Sequence, residues 1–213
     1  TIVVTAAACL SFGGSDELSD MQIRAQAGKV FVIRGAEEPI EVGDEPVPLE
    51  VKDVVRTGPR GLAALRLADG RALKMQSGSE IVIRSTRSIE SQKGSVLIDA
   101  AERTTVAVDD IDATGSDARF RVDSGFGATR IGSYNGRVEL ASPGQSPLEL
   151  QTLFQATVAA GDLAGSEPYH LNPKDTWDLH LLEDVVELES ELSLLAKGFT
   201  RGLGNDRPDV TYF

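Results

Sequence analysis

The sequence predicts a mainly β protein, an antiparallel β-sandwich or a short β-solenoid, followed by one long C-terminal α-helix. Three observations predict it. From about Met21 to Ala160 the apolar residues recur with a period near two, the pattern of strands with one buried face. The runs are short and spaced about ten residues apart with glycine-containing turns between them, as in all-β domains. From Pro173 the period changes to that of a helix.

In chain order, the strand candidates begin with Lys29–Ile33 and the proline-interrupted Val47–Val51, which suits a sheet edge. Leu62–Leu67 and Ala72–Met75 flank Asp69-Gly70, a preferred hairpin turn. Glu80–Ile83, Ser95–Ile98, Thr105–Val108, Ala118–Val122, Ala128–Ile131 and Arg137–Leu140 follow, with Asn135-Gly136 as a second hairpin signal. Strands this short bury little singly, so they must fold onto a second layer. Residues 161–172 read as a linker. Residues 173–199 read as an amphipathic helix whose apolar stripe runs Trp177, Leu181, Val185, Leu188, Leu192, Leu195 and Phe199. Residues 200–213 read as an extended tail. The stripe has two uses, packing on the chain's own β core or forming a seam for a partner, and it supplies the candidate partner-binding residues.

Composition narrows the function. The chain of 213 residues has 21 Lys+Arg against 33 Asp+Glu, a formal charge of −12. Nucleic-acid binding calls for a clustered positive surface, and docking on anionic lipid calls for the same, so both are disfavoured. A single cysteine, Cys9, excludes an internal disulfide or a multi-cysteine metal site. Asp110-Ile111-Asp112-Ala113-Thr114-Gly115 echoes the start of a calcium loop, but its twelfth position is Arg121 rather than a bidentate Glu, so it reads as an acidic turn. Gly125-Phe126-Gly127 lacks the third glycine of a dinucleotide fingerprint. His170 and His180 have no Ser or Cys at a recognisable triad spacing. No catalytic, cofactor-binding or metal-ligating residue is predicted; the chain is expected to work by binding protein.

Thr1–Phe12 is uncharged and is followed at once by the polar run Gly13–Asp20. It is shorter than the about 20 residues that span a bilayer. It reads as the outer end of a membrane anchor carrying Ile2, Val3 and Val4. Two alternatives stay open: a lipoprotein signal, since Ala6-Ala7-Ala8-Cys9 loosely resembles a lipobox with Cys9 as the lipidation site, or a buried segment.

The stretch Asp53–Met75 carries an ordered set of cues: Thr57-Gly58, Gly61, alternating apolar residues from Leu62 to Leu67, Asp69-Gly70 and renewed alternation. Gly28-Lys29-Val30 precedes it; Ser79-Glu80-Ile81, Gly94-Ser95-Val96, Ala113–Val122 and Gly136-Arg137-Val138 follow it. In this order the residues resemble the FecR domain family over about 21–160, two thirds of the chain. Two positions depart from the family pattern: Lys52 stands where the family usually has Gly, and Arg71 where it has Ser or Thr. The resemblance implies a periplasmic or extracytoplasmic β domain that follows one transmembrane helix and relays a receptor's state to a sigma factor through membrane-associated protein partners. The alternative is a structural accessory subunit of a larger membrane complex.

Overall fold

The computed structural model describes residues 21–67, 72–125, 127–159, 162–179 and 181. The chain divides after Tyr169 into two compact units.

The first unit is all β. Its strands are β1 (Gln22–Ala27), β2 (Val30–Ile33), β3 (Ile40–Glu41), β4 (Val47–Pro48), β5 (Val54–Thr57), β6 (Leu62–Arg66), β7 (Ala72–Met75) and β8 (Glu80–Ser85). They continue with β9 (Ser88–Ala100), β10 (Thr104–Val108), β11 (Ile111–Ser124), β12 (Thr129–Ala141), β13 (Leu148–Leu150), β14 (Phe154–Ala159), β15 (Asp162–Leu163) and β16 (Glu167–Pro168). All belong to one continuous sheet.

The long strands hold it together. The first part of β9 pairs with β8, from Ser88 to Lys93; its second part pairs with β7 and, from Gly94 to Ala100, with β11. β11 pairs with β10 up to Gly115 and with β9 from Ala118. One arm therefore runs β3–β2–β5–β8–β9 and the other β4–β1–β6–β7–β9–β11–β12–β14. Strands that turn from one arm into the other do so at bends and bulges, the usual corners of β folds. Both arms contribute to one hydrophobic cluster: Val30, Val55, Ile81 and Ile83 from the first, Ile23, Leu65, Leu73, Ile98 and Phe120 from the second.

The fold class needs correction on two counts. β9 and β10 run parallel, with Val106 opposite Ile89, so the sheet is mixed rather than antiparallel. Its strands form one continuous sheet whose long strands bend from one arm into the other, a β-rich arrangement that fits a β-sandwich. The long C-terminal helix is not found among the described residues: Pro173 and Lys174, expected at its start, form a turn, the described helical residues are 176–179 and 181, and 182–199 lie outside the described residues. Asn172 starts that turn by accepting the amide of Asp175 at 2.9 Å, with Pro173 at the position where its fixed φ is favoured. Asp175 then caps the short helix, its Oδ1 accepting the Trp177 amide at 2.9 Å.

Asn135-Gly136 is corrected too. It makes no hairpin turn but lies inside β12, where the pairing with β11 slips between Ser116 and Phe120. Gly136 has φ +79, and a Cβ there would stand 2.5 Å from the carbonyl oxygen of Asp117, itself at φ +49. The Asn-Gly signal reported a positive φ correctly, and the chain spends it on a bulge that bends two paired strands. Asp69-Gly70 lies outside the described residues. β15 and β16, in the segment expected as a linker, are hydrogen-bonded to β14.

Candidate functional site

Four of the residues that carry the resemblance, Thr57, Ser79, Gly94 and Ser95, meet in one buried joint. Thr57, at the end of β5, is 2 % exposed. Its hydroxyl donates to the carbonyl of Gln76 at 2.6 Å and accepts the amide of Ser79 at 2.8 Å. The Ser79 hydroxyl donates to the Ser95 carbonyl at 3.0 Å and accepts the Ser95 amide at 2.9 Å. Gly94 packs against the same serine: a Cβ there would stand 2.4 Å from the Ser79 Cα. Beside this joint the buried carboxylate of Asp53 receives Arg34 Nε at 3.0 Å, Arg34 Nη2 at 2.8 Å and the Glu50 amide at 2.8 Å. The hydrogen bond to Asp53 holds the Arg34 guanidinium above its ordinary pKa despite some desolvation. Glu80 sits below the usual carboxylate range because Arg56 donates to it, with Lys93 adding to the effect against a burial penalty.

A second polar cluster lies on the outer face of β11 and β12. Arg121 Nε donates to Asp123 Oδ1 at 2.7 Å, and Arg130 donates to Asp123 Oδ2 from Nε at 3.0 Å and Nη2 at 2.7 Å. Arg121 also reaches the Tyr134 hydroxyl, which lies 3.3 Å from that of Tyr169. The two tyrosine rings meet edge to face at 5.2 Å, and the Arg130 guanidinium stands 5.5 Å from the Tyr169 ring centre. Burial pulls the Arg130 pKa down, but the hydrogen bonds and charge of Asp123 outweigh it and the net direction is up. Nothing in the alternation of these strands singled out Tyr134 or Tyr169 beforehand, because the contact between them spans 35 residues.

The outer face of β1, β6 and β7 is different. An open groove of about 300 Å³ is lined there by Gln22, Arg24, Pro46, Ala64, Arg66 and Ala72, with Ile23 and Leu65 beneath. Arg24 stands opposite Ala64 across the β1–β6 ladder, Arg66 opposite Gln22, and Lys74 opposite Ala64 from β7. Arg24, Arg66 and Lys74 are exposed, while Ile23, Leu65 and Leu73 between them point into the core.

Of the predicted partner-binding residues, Trp177 and Leu181 lie on the short helix and are half-buried. Val185, Leu188, Leu192, Leu195 and Phe199 lie outside the described residues, as do Ile2, Val3, Val4 and Cys9. The Asp110–Gly115 run forms the β10–β11 turn and the start of β11; the neighbouring Asp109 accepts a hydrogen bond from Thr129 at 2.6 Å. No group of three or more His, Cys, Asp or Glu among the described residues could hold a metal ion. No helix among them is long and apolar enough to cross a membrane.

No protein-family model matches the chain. No curated protein matches it. Among solved structures it is similar to a candidate anti-sigma factor from Parabacteroides distasonis, seen in two crystal structures. The first, at 1.65 Å resolution, is 17% identical with a TM-score of 0.49, and the match covers 55% of this chain and 59% of that one. The second, at 2.50 Å, is 16% identical with the same TM-score and coverage. The chain therefore spans less than two thirds of the length of those structures.

Proposed function

We propose that residues 21–160 form an extracytoplasmic protein-interaction domain of FecR type, without catalytic activity, held at a bacterial membrane through the apolar segment ahead of it and working in transmembrane signalling. The observation that carries the reading is the buried joint. Cues scattered from Asp53 to Ser95 in the sequence resemble one family, and Thr57, Ser79, Gly94 and Ser95 converge in contact. A turn-rich β domain assembled by chance from alternating residues would have no reason to bring just those residues together.

The chemistry of the two polar clusters suits a scaffold. Their hydrogen bonds are spent on tying strands to one another, and a structure whose polar groups are so used offers surface rather than a reactive centre. The test is fractionation and copurification of the native full-length protein from gently solubilised membranes. The expected result is recovery in the membrane fraction with a receptor or sigma-regulating partner. A stable, stoichiometric association with a large membrane assembly would favour the accessory-subunit alternative. Recovery as a soluble cytoplasmic protein without a partner would overturn the reading.

A further inference from the structure

We propose that the groove on the outer face of β1, β6 and β7 docks an extended acidic segment of a protein partner, a proposal that rests on the interaction-domain reading above. Charge is the first argument. The chain carries −12 overall, and most of its described arginines are neutralised locally: Arg34 by Asp53 and Glu50, Arg56 by Glu80, Arg84 by Glu90, Arg87 by Glu102, Arg119 by Asp99, Arg130 by Asp123 and Arg137 by Glu149. Arg24, Arg66 and Lys74 have no ion pair and no side-chain hydrogen bond among the described residues, and they share one face. On a chain with an excess of carboxylates, three neighbouring cations without one among the described residues leave a local positive site open to a counter-ion from outside.

Spacing identifies the shape of that counter-ion. Arg24 lies opposite Ala64, and Arg66 is two residues along the same strand, so the two arginines are diagonal neighbours about 7–8 Å apart, somewhat less at their Cβ atoms. In an extended chain, side chains on one face recur every two residues, about 6.6–6.8 Å. Acidic residues at alternate positions of an extended segment can therefore reach both guanidiniums, with a further carboxylate within reach of Lys74. Guanidinium suits this task because its planar fork binds carboxylate in a bidentate way. The residues between the cations, Ala64 and Ala72, are small, which leaves room for a peptide backbone to lie in the groove. A long polyanion or a flat anionic membrane would bring the remaining negative surface of the chain close as well; a short acidic segment held in a concave site avoids most of that repulsion.

Fluorescence anisotropy with the full chain tests this. The probe is a labelled octapeptide alternating Glu with Val, and its control is the same peptide with Gln for each Glu. Saturable binding of the Glu peptide is expected, weakening as salt rises, with no binding of the Gln peptide. Arg24→Gln together with Arg66→Gln should weaken binding at least tenfold while the melting temperature stays unchanged, since both side chains are exposed. Arg60→Gln with Arg103→Gln, which removes two cations elsewhere, should change it less than twofold. Absence of saturable binding, equal binding of the Gln peptide, or equal binding by the groove variant would each overturn the proposal. So would arginine-dependent capture of vesicles containing anionic lipid, or of a single-stranded oligonucleotide, without capture of the peptide. If the wild-type protein copurifies partners but the peptide fails, the groove falls and the interaction-domain reading stands; if no partner is recovered with the wild-type protein, that reading itself falls.

Discussion

The two polar clusters solve the same problem, fastening strands together, with different chemistry. The joint between β5, β8 and β9 uses hydroxyls bonded to main-chain groups: Thr57 to Gln76 and Ser79, Ser79 to Ser95. No charge is desolvated, so each bond retains roughly its net 0.5–1.5 kcal/mol. The cluster on β11 and β12 uses two arginines, one aspartate and two tyrosines. There Coulombic attraction must first offset the cost of taking ions out of water, and removing one partner leaves another buried and charged. The first arrangement is short-range and rigid because backbone is one member of every bond. The second ends in side chains that can rotate. That difference predicts where each region breaks.

Gly94→Ala strikes the first joint where backbone stands in the way. Gly94 has φ +88, and an added Cβ would lie 2.4 Å from the Ser79 Cα, which cannot swing aside. Overpacking and a left-handed alanine together cost about 3–4 kcal/mol. Chemical denaturation of the variant should show a loss of that size; a loss below about 1 kcal/mol would mean that β8 and β9 slide easily and the joint is not rigid. Gly132→Ala strikes the second cluster on paper harder, with the new Cβ 2.2 Å from Tyr169 Cε2. The obstacle is a ring on a rotatable side chain, and Gly132 has no positive φ to preserve. Its expected cost is smaller, about 1–2 kcal/mol, with a change in near-ultraviolet circular dichroism as the tyrosine pair separates. Equal losses in the two variants would erase the distinction between the regions.

The same contrast explains what could be seen in the sequence. The first joint rests on residues whose type announces their role: a glycine needing positive φ, a Thr-Gly turn, a serine before an alternating strand. Strand alternation likewise located β2, β6, β7, β8, β10 and parts of β9, β11 and β12, because a half-buried strand must alternate. What failed were features that depend on pairing. Asn135-Gly136 signals positive φ equally in a hairpin and in a bulge, and the two differ only in what lies opposite, here Asp117 and Ala118. A bulge also shifts the phase of alternation, so β12, 13 residues long, reads as two short strands, and of β11, 14 residues long, only Ala118–Val122 reads as strand. Arg24 and Arg66 carry no local signal; that they become neighbours without an ion pair among the described residues depends on the register that sets Gln22 opposite Arg66, which no local pattern contains. The apolar stripe from Trp177 to Phe199 gave a face without evidence of a partner for it.

The smallest effect is expected at Lys52, a residue with a side chain whose φ is +77. The turn is pinned on both sides, by the Lys52 amide donating to the Ile83 carbonyl at 2.8 Å and by the Asp53 amide donating to Glu50 at 3.1 Å. A side chain in this left-handed conformation costs about 1–2 kcal/mol. Glycine would relieve that strain, while its greater freedom in the unfolded chain returns about 0.5–1 kcal/mol. Lys52→Gly should therefore stabilise the domain by about 0.5–1 kcal/mol, seen as a rise of roughly 1–4 °C in melting temperature for a chain of this size. Lys52→Ala provides the control: it removes the same exposed ammonium but keeps the Cβ, so it should leave the melting temperature unchanged. A rise in both variants would trace the effect to charge rather than backbone, and a fall in Lys52→Gly alone would show that the turn gains more from a stiff residue than it loses to strain.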